Sequence, residues 1–108
     1  MTGVVLILTT VPDDGTGETL AKTLVEERLA ACVNVLAPMT SIYRWRDAVE
    51  RDAERQVIVK TTRDRIAAVR ERIGQLHSYE LPELIVLNVE DGSGAYLDWV
   101  RESVVESR

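Results

Sequence analysis

The chain is poor in the residues on which catalytic and metal-binding chemistry most often rests. Its 108 residues include one cysteine, Cys32, and one histidine, His77. A single thiol cannot build an internal disulfide framework, which fits a reducing compartment. With one of each, neither CxxC nor HxxxH ligand spacing exists. His77 has no evident nucleophile beside it for Ser-His-Asp chemistry. Gly15 and Gly17 follow the first apolar run, but without the lysine and spacing of a phosphate-binding loop, and no dinucleotide fingerprint occurs. An enzyme is therefore not expected.

Long apolar runs are also missing. Val4 to Leu8 is apolar, but it is five residues long and no Lys or Arg precedes it. A secretory signal needs a positive segment and a longer apolar one, and a membrane span needs about 20 apolar residues. The expectation is a cytoplasmic protein with no membrane partner. Basic residues form no block and are mixed with acidic ones, with a net charge of −5. Sequence-independent phosphate binding needs a basic stripe, so nucleic acid is not an expected partner. An acidic surface modestly favours attracting cations.

What is present is the pattern of an ordinary globular chain, 45% apolar and 29% charged, and its length suggests a single domain over residues 1–108. Val4–Leu8 reads as a strand buried on both faces, hence central in a sheet. A turn follows over Pro12 to Gly17. A helix is predicted from about Glu18 to Ala31, because Leu20, Leu24, Val25 and Leu29 fall at helical spacing. Cys32 to Arg46 is extended, with a bend, bulge or edge expected at Pro38, which cannot donate to a ladder. Arg46-Asp47-Ala48 reads as a hairpin turn, and Val49 to Thr61 as the returning strand. Thr62 is a candidate cap for a helix whose face is Ile66, Val69, Ile73 and Leu76. Leu84 to Val89 is the last strand. Ser93 is a candidate cap for a C-terminal helix with Tyr96, Leu97, Val100 and Val104 on one side.

The order β-α-β-β-α-β-α implies an α+β fold of ferredoxin-like type, a split β-α-β sandwich with an added C-terminal helix. Two helices cover one face of such a sheet. The apolar strands require cover on the other face as well, and identical subunits are the simplest source.

Six segments in this order carry a resemblance. They are Thr10-Val11-Pro12-Asp13, Leu29-Ala30-Ala31-Cys32-Val33-Asn34, Thr40-Ser41-Ile42-Tyr43-Arg44-Trp45, Lys60-Thr61-Thr62, His77-Ser78-Tyr79-Glu80-Leu81-Pro82-Glu83 and Tyr96-Leu97-Asp98-Trp99. Together they resemble the CutA divalent-cation-tolerance family almost end to end. The resemblance implies a ferredoxin-like homotrimer whose long middle strands reach neighbouring subunits. It implies a PII-like architecture with clefts between subunits, and a role in tolerance of copper and other divalent ions. Ser78 stands where the family has proline, and Asp47 where it has glycine. Copper ligation proposed for some members of the family uses positions that are Thr9, Leu76 and His77 here, so only His77 is retained.

The candidate residues follow from that reading. Thiolate and imidazole suit copper, which makes Cys32 and His77 candidate metal ligands, against a plain reading as a small strand residue and a helix-end residue. Glu80, Glu83 and Glu90 supply oxygen donors that suit harder cations. The sharpest candidate is a His77/Glu83 site at the cleft. Tyr43, Trp45 and Arg46, with Arg44 among them, are of interface type and form the candidate trimer interface. Lys60 and Arg44 are candidate contacts for a small anionic ligand, the alternative function.

Overall fold

A computed structural model describes residues 2–105. Its elements are β1 (Val4–Pro12), α1 (Thr16–Glu26), β2 (Cys32–Val35), β3 (Met39–Trp45), β4 (Ala48–Thr62), α2 (Ile66–Leu76), β5 (Ile85–Asn88) and α3 (Gly94–Ser103). A 3-10 turn over Arg63–Arg65 leads into α2. The sheet is antiparallel in the order β2-β4-β1-β5, and β3 also pairs with β4. This is the ferredoxin-like α+β arrangement with an added C-terminal helix.

Period-two alternation sorts the sheet into two faces. Val5, Ile7, Thr9 and Val11 of β1 and Val57 and Val59 of β4 are buried toward α1 and α2. Leu20 and Leu24 of α1 and Val69 and Ile73 of α2 complete that core. Each such aliphatic side chain contributes about 1.5–3 kcal/mol relative to exposure. On the opposite face a helix covers only one end. There α3 lays Leu97, Val100 and Val104 against Val4 and Ala31 as a separate small cluster. Leu87 and Ile85, opposite Leu6 and Leu8 in register, remain about half exposed on the open face.

Several boundaries differ from the sequence-based expectation. The helix α1 ends at Glu26, not Ala31. Arg28 takes a left-handed conformation (φ 59°), and the Leu29 and Arg28 amides bond back to the carbonyls of Leu24 and Val25. This is a Schellman closure built with arginine in the position that glycine usually holds. Leu29 therefore continues the apolar pattern while lying outside the helix. At its other end α1 begins two residues early, and Gly17 is a packing requirement, since a Cβ there would stand 3.0 Å from Val35 Cγ1. The extended segment from Cys32 to Arg46 is two strands, interrupted at Leu36-Ala37-Pro38, as the missing proline N–H requires. Thr62 precedes the 3-10 turn and bonds Asp64; the residue at the start of α2 is Arg65.

The hairpin of β3 and β4 turns through Arg46 and Asp47, both with positive φ (49° and 64°), the signature of a two-residue turn that matches strand twist. Its far part runs beyond the helices. The first six residues of β4 are all exposed, and the molecule measures 45 × 28 × 23 Å.

Candidate functional site

The connector 77–84 between α2 and β5 folds over the open face of the sheet. With the inner part of the hairpin it forms a cleft of about 890 Å³. Alternation from Ile58 back along β4 places Gln56, Glu54, Asp52 and Glu50 on this face. Their cross-strand neighbours Met39, Ser41 and Tyr43 lie beside them.

Several polar groups in and around the cleft have definite partners. His77 ends α2, and its Nε2 lies 2.5 Å from the Thr10 carbonyl, while its Nδ1 accepts the Tyr79 amide at 3.1 Å. A carbonyl on one side and an N–H on the other assign the neutral tautomer with the proton on Nε2. Both ring nitrogens are thus engaged. Gln56 Nε2 donates to the Thr9 carbonyl (2.8 Å) and to Glu83 Oε2 (3.0 Å). Since Thr10 is opposite Gln56 in register, His77 and Glu83 are anchored at the same point of the sheet. Glu54, 7% exposed, accepts the Tyr79 hydroxyl at 2.7 Å. Burial and the Glu54 carboxylate raise the Tyr79 phenol well above the ordinary tyrosine value. Farther out, the Asp52 carboxylate accepts the Tyr43 hydroxyl and pushes that phenol up to about 12. Arg46 bonds Glu80 at 3.0 Å and stacks over Trp45.

The other candidates are placed elsewhere. Cys32 is opposite Lys60, four residues along β4 from Gln56, which is about 13 Å of strand. Its sulfur has Asn34 Nδ2 at 3.9 Å. Cys32 therefore does not join His77 and Glu83 within one protomer. Among the described residues, no three His, Cys, Asp or Glu side chains converge as a metal site. Arg44 and Lys60 are not brought together either. Arg44 is opposite Val49, eleven residues from Lys60, or about 36 Å along β4, and on the opposite face of the sheet. Lys60 instead lies 5.9 Å from the centre of the Tyr96 ring. Leu76 packs against the main core, and Thr9 is fully buried in it with its hydroxyl unpartnered among the described residues.

Sequence reasoning missed Glu54 and Gln56 as parts of the cleft. The available signal was their period-two spacing from Ile58: a carboxylate sharing a face with an apolar strand centre needs a donor, and Tyr79 supplies it.

The family model described as "CutA1 divalent ion tolerance protein" matches residues 5–103. The chain belongs to this family. It is 47% identical over 98 residues to the divalent-cation tolerance protein CutA of Thermus thermophilus, covering 91% of this chain and 95% of that protein. It is 36% identical to the chloroplastic protein CutA of Arabidopsis thaliana, covering 92% of this chain but 54% of that longer protein. Among solved structures, the Thermus thermophilus protein superposes with a TM-score of 0.91 at 45% identity, over 94% of this chain and 99% of that one. The CutA of Archaeoglobus fulgidus, described as periplasmic, gives 0.91 at 36% identity, over 94% and 99%. The family is named for tolerance of divalent ions, not for a reaction. No helix among the described residues is long and apolar enough to cross a membrane.

Proposed function

We propose that this chain serves in tolerance of divalent metal ions, copper included, as a homotrimer in which neighbouring copies complete the cleft beneath the connector. The observation that carries the trimer is the outer hairpin: Ile42 and Val49 are 68% and 69% exposed on a two-stranded ribbon in which β3 and the outer half of β4 pair only with each other. Aliphatic side chains held out on a rigid ribbon are surface for association. The open face, with Ile85, Leu87 and the 72% exposed Leu81, adds to it. Tyr43 and Trp45 border the cleft, Arg46 bonds Glu80 at its rim, and the three form part of the proposed contact.

The metal part of the proposal rests on His77 and Glu83 being anchored at one point. A cation there would replace the Thr10 carbonyl on His77 and the Gln56 amide on Glu83, and a neighbouring copy would supply further donors. Cys32 stands apart from this locus. The alternative, a PII-like module taking a small anionic ligand, needs Lys60 and Arg44 from different copies, because one copy holds them far apart. A reducing, cytoplasmic setting belongs to the proposal and is supported by the lone thiol.

Light scattering of the purified protein at micromolar concentration is expected to give three times the 12.1 kDa mass of one chain; a monomer overturns the trimer. Calorimetric titration with Cu(II) is expected to show binding that His77→Ala and Glu83→Ala weaken and Cys32→Ser leaves intact. Identical isotherms for wild type, His77→Ala and Glu83→Ala overturn the metal site.

A further inference from the structure

At the end of the sheet away from the hairpin, three segments distant in sequence enclose a pocket of about 840 Å³. They are Thr2 and Gly3, the stretch from Thr62 to Arg65 that leads from β4 into α2, and the end of α3. Arg63, Arg65 and Arg101 line the pocket against one carboxylate, Asp64, which is already engaged by the Thr62 hydroxyl. Three cations against one anion give a positive concavity on a chain whose net charge is −5.

Two of the guanidinium groups are seated on backbone carbonyls. Arg101 donates from Nε (3.1 Å) and Nη2 (2.8 Å) to the Thr2 carbonyl, and its Nη1 pairs with Asp98, which does not line the pocket. Arg65 donates from Nε and Nη2 to the Val104 carbonyl. Tying down the two ends of the described chain accounts for both. It does not account for Arg63, which is exposed, bonds only the neutral Asn88 side chain and has no carboxylate partner among the described residues. The Arg63 amide donates to the carbonyl of Gly3 (2.9 Å), where the chain takes φ 75°. Backbone pairing thus fixes where Arg63 leaves the strand, beside the other two.

We infer that this pocket binds a phosphoryl group, either as free phosphate or as the phosphate end of a small metabolite. Guanidinium groups present paired N–H donors that match the oxygens of such an anion. Two of the three are already held, so little ordering is needed on binding. Three converging cations suit a doubly charged anion better than a single carboxylate. The volume is within the range of small-molecule sites, about 300–1,000 Å³, and Val104 and Val105 supply an apolar wall for more than a bare phosphate. The pocket shares no residue with the cleft beneath the connector, and the inference depends on neither the trimer nor the metal site.

Calorimetric titration of the whole protein with inorganic phosphate and with glycerol 3-phosphate tests this. Wild type is expected to bind at least one of them. Arg63→Gln removes an exposed charge and is expected to weaken binding by about tenfold or more, the size of a lost charge-assisted hydrogen bond. Arg63→Lys is expected to recover part of the loss. Arg70→Gln removes an equal charge from the exposed surface of α2 outside the pocket and is expected to bind as wild type does. Tighter binding of the ester identifies a phosphorylated metabolite as the ligand, and equal or tighter binding of inorganic phosphate identifies the free ion. No binding of either probe at millimolar concentration overturns the inference. So does Arg63→Gln binding as tightly as wild type, or Arg70→Gln losing as much as Arg63→Gln, which would reduce the effect to overall charge.

Discussion

The first six residues of β4 and the nine that follow are one continuous strand with one hydrogen-bond pattern, yet they differ in nearly everything else. From Glu54 to Thr62 the strand lies between β1 and β2, with Val57 and Val59 fully buried under the helices. From Ala48 to Ala53 it has only β3 beside it, and every residue is exposed. Backbone pairing is thus maintained about 20 Å past the point where side-chain cover ends. Two-stranded ribbons are marginal in water when nothing packs on them. The inner half is stabilised within the protomer, and the outer half is an element whose packing has to come from another molecule.

The largest contrast is expected between equivalent truncations in the two halves. Val59→Ala empties fully buried space and is expected to cost about 2–3 kcal/mol in urea unfolding. Val49→Ala is expected to change unfolding of the dilute protein by less than about 0.5 kcal/mol, with its effect appearing in the concentration dependence of assembly. Equal costs at high dilution would break the comparison.

The junction between the halves is the Glu54–Tyr79 bond. Tyr79→Phe leaves a buried carboxylate without that donor and is expected to cost about 1–2 kcal/mol. A variant as stable as wild type would show that the connector is held by His77 and Glu83 alone. A smaller gain is expected in the inner half, where packing is tight enough to strand a hydroxyl. Thr9→Val keeps the shape, removes the unpartnered oxygen and is expected to raise stability by up to about 1 kcal/mol.

The smallest effect belongs to the outer half and is spectroscopic. Tyr43 is expected to ionise near 12 because Asp52 opposes the phenolate, and Asp52→Asn is expected to bring the ultraviolet titration midpoint down toward about 10. The folded phenol holds its proton more tightly than the unfolded one. Its contribution to stability is therefore complete below about pH 10 and is lost as pH rises toward 12. An unchanged midpoint in Asp52→Asn would show that the pair does not persist in solution.

Much of the fold follows from local pattern. The central position of β1 is encoded in Val4–Leu8, the hairpin turn in Arg46-Asp47, and the face of α2 in Ile66, Val69, Ile73 and Leu76. Pro38 marks the break between β2 and β3. The end of α1 was hidden because Leu29 keeps helical spacing after the chain has already turned at Arg28. The candidate site was harder to read. Cys32 and His77 were singled out by residue type, but type carries no information about distance. Strand register separates Cys32 from His77 and puts Arg44 far from Lys60, and register is set by long-range pairing. The same register sets the anchors of His77 and Glu83, the Thr10 carbonyl and the Gln56 amide, on opposed residues, which their spacing of six residues on an irregular connector could not disclose.

The sequence by itself determined the order of elements, the need for cover on both sides of the central strands, and membership of the divalent ion tolerance family. Those properties depend on residue type and short-range periodicity. Only the tertiary structure decided that both nitrogens of His77 are engaged and that Glu54 is buried against Tyr79. Each of those depends on which residue stands across from which, and the alignment of β4 against β1, β2 and β3 is a property of the assembled sheet.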